Sequence, residues 1–368
     1  MKLITYAGVG PTLSWYDTDV AQATLNKCGS VLLPANVQYA WPHPSRRYLY
    51  VVSSDSASGL GGFVGTKHHA SAFRIDPATG ALAAHGTATP LPSRPIHVTT
   101  DIASRFLLTA YNNPSRISVH RINEDATLGE EVKQKGAIDA GVFAHQVRVS
   151  PSNRVAILVA RGNNAAAGKP EDPGALKVYD FDQGMLTRTV TIAPNGGIGF
   201  GPRHLDFHPS EPWIYVSLER QNKLAMFRMK GDALEPEPTF VKDLLARTDN
   251  VRVRQLGGTV HVHPNGRFVY GCNRTDSEAG ENSIAVFALD ARTGEPTLIQ
   301  HAHTRGLHPR TFHIEPGGRM MVVAHIAPGD LAVFRIAEDG KLGFVRKYEV
   351  DDPGLLWWMG IVNVPAFA

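Results

Sequence analysis

Cysteine is nearly missing from this chain of 368 residues: Cys28 and Cys272 stand alone, in no Cys-x-x-Cys pair. Neither a disulfide scaffold nor a structural zinc site is expected from them. Charge is scarce as well. Only 19% of residues are charged and the net charge is +3. That is too little for a coiled coil, and no basic cluster points to nucleic acid as a partner. No run approaches 18 uncharged apolar residues, so no membrane span and no membrane partner are expected. The first eight residues carry one positive charge and a very short apolar run. They do not read as a secretory signal, and a cytoplasmic location is the expectation. Long stretches of helical period are also lacking. Residues 240–247 read as a short loop helix and are the exception, which argues against a parallel α/β fold. What is present is apolar mass, 43% of the chain, together with 35 Gly and 25 Pro. This composition suits one large core crossed by many turns.

The chain repeats itself. A polar turn phrase followed by an apolar run recurs as His43-Pro44-Ser45-Arg46-Arg47, Asp101-Ile102-Ala103-Ser104-Arg105 and Ser150-Pro151-Ser152-Asn153-Arg154. It returns as His208-Pro209-Ser210-Glu211-Pro212, His263-Pro264-Asn265-Gly266-Arg267 and Glu315-Pro316-Gly317-Gly318-Arg319. Counted from positions 44, 102, 151, 209, 264 and 316, the spacings are 58, 49, 58, 55 and 52. A second phrase follows each first one, with a ring at its fourth position, as in Leu224-Ala225-Met226-Phe227 and Leu331-Ala332-Val333-Phe334. Alternation of this kind, rich in β-branched and aromatic residues, is strand chemistry. Each unit reads as four antiparallel strands near 50 residues, the size of a β-propeller blade. Six units fill residues 37–350. The seventh is split: residues 2–8, 13–17 and 23–33 supply three strands, and residues 355–363 supply the innermost. The expected fold is therefore all-β, a single seven-bladed β-propeller over residues 1–368, its ring closed by a C-terminal strand joining three N-terminal ones. Closure removes the open sheet edge.

The repeat also serves as a ruler. Innermost strands line the central channel, and their starts share one mouth with the ends of the second strands. Six residues before each reference position lie Gln38, Ile96, His145, Arg203, Gly258 and Arg310; one residue further on lie His97, His204 and Thr311. Ten residues after it lie Ser54, Asn112, Arg161, Glu219, Arg274 and Ile326, with His325 just before the last. A sheet framework does not require ionisable groups there, whereas a pocket built from several blades does. Arg47, Arg105, Arg154, Arg267 and Arg319 recur in register at a turn and read as structural, as do His43, His208 and His263. Each mouth residue also has a structural reading: an interior histidine for His145, an ion pair for Arg203 and Glu219, a solvated loop charge for Arg274. A metal site has weak support, since there is no His-Glu-x-x-His, and in the pair His261 and His263 the second residue belongs to the turn phrase with no carboxylate paired with it. No Gly-x-Ser-x-Gly elbow supports a serine triad. The glycine stretches at 59–62 and 196–199 do not join a strand to a helix, so they are not phosphate loops.

The segments Gly201-Pro202-Arg203-His204-Leu205-Asp206-Phe207-His208-Pro209, Tyr215-Val216-Ser217-Leu218-Glu219 and His261-Val262-His263-Pro264-Asn265-Gly266-Arg267 resemble the seven-bladed lactonase family. That family includes bacterial 6-phosphogluconolactonase and fungal 3-carboxy-cis,cis-muconate lactonizing enzyme. The resemblance runs over nearly the whole chain and is strongest from 200 to 336. It implies a seven-bladed propeller without a required cofactor, and a site made of a His, an Arg, a Glu and a second Arg on successive blades. These fall on His145, Arg203, Glu219 and Arg274, the positions that the ruler also selects. His97, Arg161, His204, Arg310 and His325 are the expected substrate-binding residues around them. Insertions at 55–69 and 162–174 lie beside the same mouth. Arg161 has no counterpart in the family pattern.

The implied activity is hydrolysis of an anionic sugar-acid lactone, with no metal. His145, whose intrinsic pKa is near neutrality, is the expected general base, and Glu219 is expected to orient it or the water. Glu219 as the base is the nearest alternative. The arginines would grip an anionic substituent or polarise the carbonyl. Two other readings remain open at this level: a muconate-type cycloisomerase using the same groups, and a non-catalytic propeller platform.

Overall fold

The computed structural model describes residues 2–57, 62–248, 254–326, 329–350 and 356–366. Seven antiparallel sheets carry the chain. Their innermost strands are Leu356–Val364, Asn36–Pro42, Pro95–Thr100, Ala144–Val149, Pro202–Phe207, Leu256–Val262 and Pro309–Ile314. Each of these touches the next, and the last returns to the first, so the ring is closed. The closing blade is ordered Thr24–Leu32, Thr12–Asp19, Lys2–Val9, Leu356–Val364, with Tyr6 opposite Gly360 and Ile4 opposite Val362. The expected division of the split blade holds. Of its C-terminal strand, Leu355 lies outside the described residues, as do Gly59, Leu60 and Gly61 of the first glycine stretch.

Segment 240–247 corrects the sequence reading. Phe240–Asp243 is a strand on the outer edge of Lys223–Lys230, pairing Val241 with Ala225 and Phe240 with Met226. The same outer edge also receives Ala233–Leu234. An unpaired ladder of N–H and C=O groups on Lys223–Lys230 outweighs the weak helical period of eight residues. Leu244 then turns inward and is buried with Tyr215, Val260 and Phe287. Among the described residues the helical element is one short 3₁₀ turn, Pro194–Gly197. Among these residues no helix is long and apolar enough to cross a membrane.

Apolar clusters fill the spaces between neighbouring blades. Ile157, Val159 and Val178 of one blade pack with Leu205, Val216 and Phe227 of the next. A tyrosine on the second strand adds a polar tie between blades. Tyr6 donates its hydroxyl to Gly80 O, Tyr215 to Gly294 O and Tyr270 to Gly340 O, each at 2.8 Å, and Tyr50 donates to Ala126 O at 3.0 Å. Burial raises these phenols above their usual range, so they remain donors. The acceptor residues sit in the outer hairpin of the adjacent blade at positive φ, +84° for Gly340. A Cβ on Gly340 would come within 2.4 Å of the Phe268 ring. The turn histidines also tie blades: His208 Nε2 donates to Gly266 O at 2.8 Å and His263 Nε2 to Gly318 O at 2.7 Å. Their expected structural role is thus met.

Candidate functional site

Every innermost strand carries one extra residue near its start. The register with the second strand slips around Trp357, Gln38, Ile96, His145, Arg203, Gly258-Thr259 and Arg310. A β-bulge of this kind breaks strict alternation and re-aims side chains. It explains why two consecutive positions of the ruler both reach the mouth. Arg203 and His204 lie together, with Arg203 Nη1 3.4 Å from the His204 ring nitrogens.

Glu219 is the hub. Its backbone N–H donates to Gly201 O at 2.8 Å and its C=O accepts from Gly257 N at 2.7 Å, pinning the end of its strand between two innermost strands. The carboxylate is 2% exposed as a residue. Arg274 Nη2 donates to Oε1 at 2.5 Å, Arg203 Nε lies 3.2 Å from the same oxygen, and Arg161 Nη1 donates to Oε2 at 2.7 Å. Burial alone would raise this carboxyl, but the charges of Arg274, Arg161 and Arg203 outweigh it and hold it well below the usual carboxylate range. Burial pulls the Arg203 guanidinium down to about 9, which still leaves it charged at neutral pH.

Arg274 is held from behind. Its Nη1 donates to Gly257 O at 2.6 Å and its Nε donates to His308 Nε2 at 3.2 Å. His308 Nδ1 in turn meets the Asp276 carboxylate. With Nε2 accepting, the proton belongs on Nδ1. Burial and the Arg274 charge lower His308 to about 4, so it stays neutral and able to accept. Sequence reasoning missed His308. The Arg274 guanidinium, once placed, needs an acceptor for its Nε, and no register position signals which residue supplies it.

His145 lies beside this cage, buried, with its Nδ1 unpartnered. Its ring centroid is 5.2 Å from that of His204, which is 6.3 Å from that of His97. Burial, then the positive charge of Arg203, lowers His145 well below the ordinary imidazole range; burial does the same for His204 and His97. All three imidazoles are therefore neutral at physiological pH. The carboxylate of Glu219 is taken up by Arg274, Arg203 and Arg161, so the expected orienting contact to His145 is not made among the described residues, and the neighbouring charge that bears most on His145 is that of Arg203. Arg161, expected to bind substrate, is bound to Glu219 and lies 4.0 Å over the Phe143 ring. His325 is placed differently from the cluster: its Nδ1 pairs with Asp330 at 2.5 Å, Asp330 meets Lys347 Nζ at 2.8 Å, and the ring packs on Gly306. Arg310 lies over the Trp357 indole at 5.1 Å.

The 162–174 insertion is latched to the mouth by Arg220, next in chain to Glu219. Arg220 donates to Asn163 O at 2.9 Å and Arg161 O at 3.1 Å, and pairs with Glu171 at 3.0 Å. At the other end of the channel, a cavity of about 500 Å³ is lined by Trp41, Arg148, Asp206, His261 and His313. Its Asp206 is already engaged by Arg148 at 3.0 Å, His261 at 3.4 Å and two backbone N–H groups. The two rings of the His-x-His pair have different partners: His261 meets Asp206, whereas His263 bonds Asn265 N and Gly318 O. Among the described residues, no group of three or more His, Cys, Asp or Glu is placed to hold a metal ion.

A family model described as "Lactonase, 7-bladed beta-propeller" matches residues 4–358. A 6-phosphogluconolactonase of Bacillus subtilis is 29% identical over 337 residues, covering 89% of this chain and 88% of its own. A 6-phosphogluconolactonase of Serratia proteamaculans is 27% identical over 360 residues, covering 97% and 98%. Among solved structures, the periplasmic gluconolactonase of Pseudomonas aeruginosa superposes with a TM-score of 0.79 at 23% identity, over 99% of this chain and 100% of its own. That likeness speaks to the fold. With a match along nearly its whole length, the chain belongs to the seven-bladed β-propeller lactonase family.

Proposed function

We propose that this protein hydrolyses the lactone of an anionic sugar acid, of the type that its 6-phosphogluconolactonase relatives are named for. The observation that carries this reading is a buried carboxylate caged by three guanidinium groups beside a neutral imidazole whose Nδ1 has no partner among the described residues. Lactone opening adds water to a carbonyl. A base must take a proton, developing negative charge on the carbonyl oxygen must be stabilised, and the ring oxygen must leave protonated.

His145 suits the base. Its neutral ring accepts a proton from water and can return it to the departing ring oxygen as the tetrahedral intermediate collapses to a carboxylic acid. Glu219 suits that task poorly, because its lone pairs face guanidinium groups and its carboxyl sits far down the pH scale. Its part is to fix Arg203 and Arg274 in one geometry, so that little reorganisation is needed when the oxyanion forms. The cluster of three arginines and one glutamate keeps an excess of positive charge, which favours an anionic substrate.

The test is turnover of 6-phosphogluconolactone and gluconolactone followed by pH-stat, with wild type and His145→Ala. Substitution should lower kcat by roughly 10²–10⁴. Near-normal turnover by a folded His145→Ala protein would remove His145 from the chemistry.

A further inference from the structure

Two guanidinium groups at the mouth, Arg94 buried and Arg310 half-buried, have no carboxylate partner among the described residues. Arg94, immediately before the innermost strand Pro95–Thr100, is 6% exposed. Its Nε donates to Gln38 Oε1 at 2.8 Å, and its guanidinium carbon lies 5.3 Å from the centre of the Trp357 indole. Arg310 lies 5.1 Å from the same indole. Among the described residues neither forms an ion pair. The other buried or half-buried arginines of the channel do: Arg161, Arg203 and Arg274 with Glu219, Arg148 with Asp206, and Arg220 with Glu171. A buried cation without a counter-charge is costly unless a ligand supplies one. Gln38, Trp357 and Arg310 all stand at bulge positions, so three blades aim this group at the same opening as His145 and Arg203.

We infer that Arg94 and Arg310, oriented by Trp357 and Gln38, form a subsite for a dianionic phosphoryl group at the Trp357 side of the mouth. Planar guanidinium forks match phosphate oxygens, and stacking on an indole fixes the plane of each fork. The subsite rests on the lactonase reading for its role. It separates two jobs among five arginines: three are paired with Glu219 beside His145, and two select the substituent. Substrate specificity thus comes from residues outside the His, Arg, Glu and Arg set.

Two measurements test it. The first is binding of inorganic phosphate by calorimetry to wild type, Arg94→Met, Arg310→Met and Arg94→Lys, each with its melting curve. The second is kcat/KM for phosphorylated and unphosphorylated gluconolactone. Either Met variant should weaken phosphate binding by about 10–100-fold. It should reduce kcat/KM for the phosphorylated lactone at least tenfold more than for the unphosphorylated one, mainly through KM. Arg94→Lys, which keeps the charge and loses the fork, should fall between. Equal losses on the two lactones, or unchanged phosphate affinity in natively melting variants, would overturn the subsite. If wild type opens neither lactone but phosphate binding depends on both arginines, the lactonase reading fails and the anion site stands. If wild type opens both lactones equally and binds no phosphate, the reverse holds.

Discussion

Arg274 and Glu219 are 55 residues apart in the chain, on adjacent blades, and meet at 2.5 Å with both side chains almost fully enclosed. Glu219 also neutralises part of the charge of Arg161 and Arg203. Removing it would leave three closely spaced cations under cover. Glu219→Gln should therefore destabilise the fold by about 3–5 kcal/mol and lower kcat by roughly 10²–10⁴. Urea denaturation and pH-stat assays would read the two effects. A variant that loses activity without losing stability would mean the cage is held by something else.

Acid should find the same weak point. The Glu219 carboxyl lies well below its unfolded value, and Asp206 is drawn down to about 2 because Arg148 and His261 outweigh its burial. For depressed carboxyls the stabilisation is complete above the unfolded pKa, about 4. It fades as pH falls toward the folded value. Stability should first decline below about 6.5, where histidines charge in the unfolded chain while His97, His145, His204 and His308 stay neutral in the fold, and decline further from about 4 to 2 as the two carboxyls are protonated. Equilibrium unfolding across this range would show no second fall between about 4 and 2 if neither carboxylate mattered.

His145 predicts a pH profile of its own. The base-competent form is the neutral ring, and burial with the Arg203 charge keeps the ring neutral well below 6.5. The value of kcat/KM should pass through the ordinary imidazole range, near 6.5, without a break and fall only at lower pH. An acid limb centred at that ordinary value would point to a solvent-exposed base instead.

His308 should act through Arg274. His308→Ala removes the acceptor of the Arg274 Nε–H and should reduce kcat/KM by about tenfold. His308→Gln, whose side-chain oxygen can accept the same bond, should recover part of it. Identical losses in the two variants would show that the ring contributes only bulk.

The tyrosine ties belong to the frame. Tyr270→Phe should lower stability by about 1 kcal/mol, with kcat unchanged. Gly340→Ala should cost more, because the position has φ +84° and the new methyl would meet Phe268. Thermal melts and turnover measured together would separate frame from site.

The chain's own text determined the ring. Alternation, turn phrases and their spacing are local properties, so blade number, the split blade and the structural turn histidines could be read from it, and so could the sharing of one mouth by positions 145, 203, 219 and 274. It offered the Arg203–Glu219 pair, which forms, but not the other charges that meet Glu219. Arg161 and Arg274 stand at the same repeat position, and only the three-dimensional closing of blades turned both toward Glu219. Nor did it expose Arg94, His308 or Trp357, which lie off the ruler or on the spare strand, or show that His325 would turn to Asp330. Residues 240–247 went to an edge strand because a neighbouring ladder demanded partners. Pairings of this kind depend on bulges, burial and counter-charges that arise only once distant segments are packed, and that is why tertiary structure decided them.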